Sequence, residues 1–272
     1  MDAFVLRVAL SVVLGGLAVA LFTTAAERVG SRVGGLLLSF PVKVTLAMVL
    51  IGLNEGAAFA ARAAVEIPAG IGVNVVFLAA TALLVRRMAP WPALAAALAL
   101  WAAAGLAVVL RPAHTLGEAL LYWLAPAAVA LALVRALPNV RGDRRARDAA
   151  RFGWWGLLSR AAGAGAIVGL SLVLARVAGP VLGGLASVFP SGWMTTMVIL
   201  ARAHGPEFTG ATVRVMVLGS VAPVLFGVVV ALAYPAWGIA AGTLAAIGAA
   251  VAASLLVMAW LRWRDGGAPR AA

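Results

Sequence analysis

Apolar residues in this chain gather into long uninterrupted runs, with neither the alternation of a half-buried strand nor the single stripe of a surface helix. Nine runs stand out: Phe4 to Ala25, Val33 to Leu53, Ala63 to Val85, Pro90 to Leu110, Pro112 to Val134, Gly153 to Ala175, Val181 to Leu200, Ala211 to Ala233 and Ala236 to Leu261. Each approximates the roughly 20 apolar residues that a helix needs to cross a bilayer, whereas barrel strands alternate over ~10-residue segments. The pattern predicts an all-α polytopic membrane protein of about nine transmembrane helices. Met1-Asp2-Ala3 lacks a basic n-region and the run behind it is too long for a cleaved signal, so the first helix is expected to remain in the mature protein.

Composition removes several function classes. With 64% hydrophobic and 11% charged residues and a mean hydropathy of +1.07, short connections and one 18-residue gap between runs leave no room for a soluble domain. An ATP-driven pump with its own nucleotide site, a receptor with an ectodomain and a transcription factor are excluded, and no G-x-x-x-x-G-K-[ST] loop occurs. The absence of cysteine removes disulfides, thiolate metal sites and a cysteine nucleophile. The formal net charge of +12 would suit nucleic acid, but the positions of the 21 Lys and Arg residues argue otherwise. With nine spans, fourteen fall on one side, many of them in the loop from Arg135 to Arg151. Three (Arg62, Arg111, Arg176) fall on the other, and Arg7, Lys43, Arg160 and Arg214 fall inside spans. Excess Lys and Arg mark the cytoplasmic face, so the N-terminus is expected outside and the C-terminus in the cytoplasm, in a bacterial plasma (inner) membrane. The basic loop reads as an orienting anchor facing anionic lipid, with no nucleic-acid partner.

A repeat is present. Shifted by 149 residues, Ala26 to Phe59 aligns without a gap to Ala175 to Phe208, and 11 of 34 positions are identical, where composition alone gives about four. The identities centre on Gly34-Gly35-Leu36 with Phe40-Pro41 and on Gly183-Gly184-Leu185 with Phe189-Pro190. The same offset pairs Gly16 with Gly165 and Ala20 with Gly169, small residues that let helix backbones approach closely in lipid. Residues 1–111 are therefore expected to form one four-helix unit and residues 153–272 a second. Residues 112–152 supply a connector helix and the basic loop. One connecting span inverts the second unit, and inverted repeats typify secondary transporters with a midplane site between the repeats.

The stretch from Gly34 to Thr45, with its partner Gly183 to Thr195, resembles the Gly-Leu-x-x-x-Phe-Pro segment of the small GlpM-type membrane proteins. That resemblance implies two fused copies of a short few-helix protein. The wider architecture is analogous to compact inverted-repeat carriers such as the drug/metabolite transporters.

Pro41 and Pro190 lie near the middle of spans two and seven, where each removes a helical hydrogen bond and frees a carbonyl, on Leu37 and Ala186. One reading is a pair of kinks satisfied by neighbouring helices. The other is a pair of true breaks, with the prolines as first residues of half-helices whose positive ends converge at the midplane. Such a site favours an anion, and Lys43, the sole lysine, adds a full charge with a solute carboxylate or phosphate, Glu66 or Glu118 as its partner. The expected substrate-binding residues are Phe40, Pro41, Lys43, Thr45, Phe189, Pro190, Ser191, Gly192, Trp193 and Thr195, the tryptophan as an aromatic wall and the glycine as a point of close approach.

Glu66 stands four residues after Arg62, which suits either a local ion pair or a proton-coupling carboxylate. His114 and Glu118, also four apart, read as a proton relay or half a metal site, but two ligands do not hold a metal and none is expected. Asn74 reads as an interhelical hydrogen bond or a solute contact, Trp101 and Trp123 as packing, and Arg7, Arg160 and Arg214 as side chains snorkelling to the headgroups. With no H-E-x-x-H, Ser/His/Asp set or carboxylate cluster, no enzyme activity and no cofactor are expected. The leading expectation is a proton-coupled secondary transporter of a small anionic or zwitterionic solute. A channel for an anion or neutral solute is the alternative, and a lipid-head-group flippase or envelope assembly factor the third. Membrane lipids, a small-molecule substrate and a second copy of the chain are the partners expected.

Overall fold

The apolar runs form α-helices in a computed structural model that describes residues 3–28, 41–135 and 154–266. Phe40, the Gly34-Gly35-Leu36 motif and the basic loop up to Arg151 lie outside the described residues. The elements are α1 (Ala3–Arg28), α2 (Val42–Glu55), α3 (Ala57–Leu84), α4 (Pro90–Leu110), α5 (Leu116–Arg135), α6 (Trp154–Ser187), α7 (Ser191–Gly219) and α8 (Val221–Gly266). No other regular structure occurs among the described residues. Five helical stretches of them are long and apolar enough to cross a membrane: Ala57–Leu84, Pro90–Leu110, Leu116–Val134, Leu157–Met194 and Gly205–Trp263. Leucines such as Leu100, Leu110, Leu244 and Leu256 point outward unburied, as the bilayer-facing surface of an integral membrane protein requires.

Several helices are interrupted, and the sequence shows why. Glycine takes a positive φ without a Cβ penalty, and a following proline bars the preceding residue from helical geometry while suiting the first turn of the next helix. Gly179-Pro180 and Gly205-Pro206 break α6 and α7 in this way, with φ of 86° and 76° at the glycines. Gly56, at φ 94°, separates α2 from α3. Pro41 (φ −79°, ψ 53°) and Pro190 (φ −78°, ψ 32°) are the N-caps of α2 and α7, and at Pro190, where α6 ends at Ser187, the helix is truly broken. Each proline stands one position earlier than expected. Its carbonyl accepts the first bond of the new helix, from the Thr45 and Met194 N–H groups, both at 2.9 Å. The breaks at Gly56 and Gly205, like those at Pro41 and Pro190, are separated by the same 149 residues as the sequence repeat.

The central element is α3, which packs against α2, α4, α5, α6, α7 and α8. Its first half joins Met48 and Ile51 of α2, Leu172 of α6, and Phe226 and Tyr234 of α8 in one buried cluster. Its second half joins Leu94 of α4, Val134 of α5, and Met197 and Val213 of α7 in another. Lipid tails are as apolar as these side chains, so close contact more than solvent exclusion holds the helices together. Where α1 crosses α6, a Cβ on Gly16 would stand 2.9 Å from the Ala161 carbonyl oxygen, and one on Gly165 would strike the Val12 carbonyl. The paired small residues therefore face each other. Buried hydroxyls of Ser11, Thr81, Ser171 and Ser254 bond the carbonyl one turn back, which removes their cost in an apolar interior.

Gly165→Leu should force α1 from α6 and cost about 1–3 kcal/mol, the usual scale of overpacking. Gly105→Leu on α4, whose new Cβ meets no atom within 4 Å, should not. Thermal unfolding of the solubilised protein, followed by tryptophan fluorescence, checks this, and equal midpoints for the two variants would refute the packing assigned to Gly165.

Candidate functional site

Three helices converge on the break between α6 and α7. Proline has no N–H for the Ala186 carbonyl, and the Phe189 N–H takes that carbonyl instead at 3.1 Å. The chain then leaves helical geometry, and the carbonyls of Val188 and Phe189 turn to side chains from elsewhere. Asn74 Nδ2 on α3 donates to the Val188 oxygen at 2.6 Å, and Trp101 Nε1 on α4 donates to Asn74 Oδ1 at 2.7 Å. An indole only donates and a carbonyl only accepts, so the two partners fix the orientation of the Asn74 amide. The Trp101 ring meets the Phe189 ring edge-on, with centroids 4.9 Å apart and planes at 81°.

Lys43 completes the arrangement. From the first turn of α2 its Nζ donates to the Phe189 oxygen at 2.7 Å and to Ser191 Oγ at 3.0 Å. The side chain that begins beside Pro41 thus ends on the break at Pro190. Among the described residues no carboxylate pairs with it, so Glu66 and Glu118 are not its partners. An ammonium has three protons, and two are engaged among the described residues.

The other expected binding residues separate into those joined at this point and those outside it. Pro190, Phe189 and Ser191 are at the contact itself, and a Cβ on Gly192 would meet no described atom within 4 Å. Thr45 Oγ1 donates back to the Pro41 carbonyl at 3.0 Å, reinforcing the start of α2. Trp193, partly buried, packs on the second core cluster. Thr195 belongs to α7, with its side chain outside the described residues, as is Phe40 altogether.

Glu66 and Glu118 differ sharply. Glu66 is 1% exposed, and its Oε2 has no hydrogen-bond partner among the described residues. The backbone of Ala113 reaches its carboxyl, and Gly184 packs so closely that a Cβ there would stand 3.3 Å from Glu66 Cβ. The expected pair with Arg62 is not formed. Arg62 is exposed, with its guanidinium carbon 5.6 Å from the Phe59 ring centroid, whereas Glu66 is covered by α6 at Gly184. Glu118 is exposed in the first turn of α5. Its Oε2 accepts the His114 N–H at 2.7 Å, and its own N–H donates to Thr115 Oγ1 at 3.2 Å. That is a helix cap, and His114 precedes the helix, so the expected His114–Glu118 relay within a span is not present.

Asn74 and Trp101 are the site residues that sequence reading undervalued. The available signal was an amide in mid-span and an indole N–H far from either interface, two buried donors that had to find acceptors.

Residues 8–111 match the family described as Protein of unknown function (DUF3147), a match over less than half of the chain. No curated protein and no solved structure matches the chain. Lys43, Glu66, Asn74 and Trp101 lie within the matched residues, and the break held by Lys43 and Asn74 lies outside them.

Asn74→Ala should strand the Val188 carbonyl and the Trp101 indole at about 1–3 kcal/mol for each unsatisfied group. Trp101→Phe, which strands only Asn74 Oδ1, should lower the thermal midpoint less. The reverse order would contradict the network.

Proposed function

We propose that this chain is a secondary transporter that moves a small anionic or zwitterionic solute by alternating access, with protons as the coupling ion. The observation that carries the reading is the single lysine of the chain spanning from one proline break to the other. Its bonds to Phe189 and Ser191 are exchangeable. A solute carboxylate accepts a hydrogen bond from the remaining ammonium N–H and replaces one of those partners, which loosens α2 from the α6–α7 break. Differential bonding of that kind is what a ligand needs to shift a conformational equilibrium. The positive ends of α2 and α7 favour the same sign of charge.

The accompanying architecture is nine spans in two inverted four-helix units, residues 1–111 and 153–272, in a bacterial plasma membrane with the C-terminus in the cytoplasm. Its support is the 149-residue recurrence of the breaks at Pro41 and Pro190 and at Gly56 and Gly205, and a family match that stops at residue 111. Glu66 is the coupling carboxylate of this scheme. An ionised carboxylate buried without a counter-charge is costly, so loading and unloading a proton there alters the α3–α6 crossing at Gly184.

In proteoliposomes screened with labelled carboxylates and amino acids, Lys43→Ala should lower uptake at least tenfold, as loss of a charge-assisted bond of about 1.5–3 kcal/mol implies. Lys43→Arg should retain part of it. Unchanged uptake in Lys43→Ala protein that still elutes as wild type would remove the site. Glu66→Gln should abolish accumulation driven by a pH gradient while preserving solute exchange across the membrane. Equal accumulation by Glu66→Gln and wild type would dismiss the coupling role.

A further inference from the structure

A cavity of about 400 Å³ lies between α4 and α5, which both pack on α3 but hardly on each other. Val73 and Val76 of α3 form its floor, and Ala104, Ala107, Tyr122 and Ala125 its walls. The floor is fixed where α3 and α5 approach most closely, since a Cβ on Gly72 would strike the Tyr122 carbonyl. Ala107, Tyr122 and Ala125 are exposed, and both walls belong to helical stretches long enough to cross a membrane, so the cavity is a groove open sideways to acyl chains. Of the described residues that line it, Arg111 alone is charged. Arg111 is the first residue after α4, with its N–H on the Ala107 carbonyl at 3.0 Å. The 21 residues of α4 rise about 31 Å, matching a hydrocarbon core of about 30 Å, so Arg111 stands at headgroup depth. Its side chain is exposed, and among the described residues no carboxylate pairs with it. Glu118, in the first turn of α5, accepts the His114 N–H instead.

Independently of the carrier reading, we infer that this groove binds one phospholipid of the leaflet that meets the α4–α5 loop, with its phosphodiester on Arg111 and one acyl chain along the groove. Charge selects the head, because the planar guanidinium fork matches two phosphate oxygens at once. Depth selects a lipid seated in that leaflet. Ala104 precedes Arg111 by seven residues and Pro126 follows the start of α5 by ten, so the lining reaches about 10–15 Å below the headgroups, the span of one leaflet. Size selects a single chain for the groove. At the roughly 30 Å³ that a water molecule occupies in the liquid, the volume holds about thirteen groups of methylene size, and the second chain of the lipid stays in the bilayer onto which the groove opens.

The test uses the full chain, purified in detergent, stripped of lipid and titrated with dioleoylphosphatidylethanolamine, with bound lipid counted by native mass spectrometry. Wild type should saturate at one tightly held lipid per chain. Arg111→Gln, which removes the fork, and Ala107→Phe, which sets a ring in the groove from an exposed position, should each weaken that binding at least tenfold. Ala103→Phe, on the exposed side of α4 outside the groove, should leave it unchanged. If Ala107→Phe protein is not recovered, Ala104→Leu fills the same wall and should act in the same direction. Dioleoylglycerol, with the same chains and no phosphate, should bind wild type no better than it binds Arg111→Gln. Binding that does not saturate, or that either Arg111→Gln or the groove variant leaves at wild-type affinity, is ordinary boundary lipid and overturns the inference. Oleate that displaces the phospholipid at equal affinity through Arg111 also overturns it, by giving the groove to a single-chain carboxylate.

Discussion

A helix broken inside a membrane has to find partners for the carbonyls it releases, because the surrounding hydrocarbon offers none. That requirement organises the middle of this protein. The interruption at Val188 and Phe189 is met by the Asn74 amide and the Lys43 ammonium, so α2, α3 and α4 are all tied to the start of α7. Asn74 lies between the stretches of α3 that build the two core clusters, and its bond locks the α6–α7 break to that seam. The polar contacts are few, but each joins elements far apart in the chain.

The same bonds make the region suited to change. Backbone carbonyls held by side chains from other helices exchange partners without unravelling a helix, whereas bonds within a helix do not. Lys43 has no counterpart at the second break, where the equivalent position is Gly192. The charge therefore stands on α2 alone and is spent on the break before α7. Glu66, buried at the closely packed crossing of α3 with Gly184, stands on the same central helix as Asn74.

Much of the fold was legible residue by residue. The apolar runs set helix positions because length and hydrophobicity alone decide whether a segment suits a bilayer. Pro41 and Pro190 announced breaks because an absent N–H is a covalent fact. Gly16 and Gly165 announced a close crossing because no other residue leaves the backbone so bare. Glu118 was misread, since its spacing from His114 suits a relay and a cap equally, and only the position of the helix start separates them. Arg62 and Glu66 misled for a related reason. A four-residue spacing puts two side chains on one face, but here a neighbouring helix covers Glu66 while Arg62 turns to the Phe59 ring.

The chain by itself determined that helices form, where they stop and which sign of charge sits at the first break, because these follow from local covalent chemistry and from apolar length. Only the tertiary structure decided that Lys43 meets Phe189 and Ser191, residues 146 and 148 positions away, instead of a carboxylate. The partner of a buried charge depends on which backbone groups a distant break exposes, and no local pattern encodes that juxtaposition.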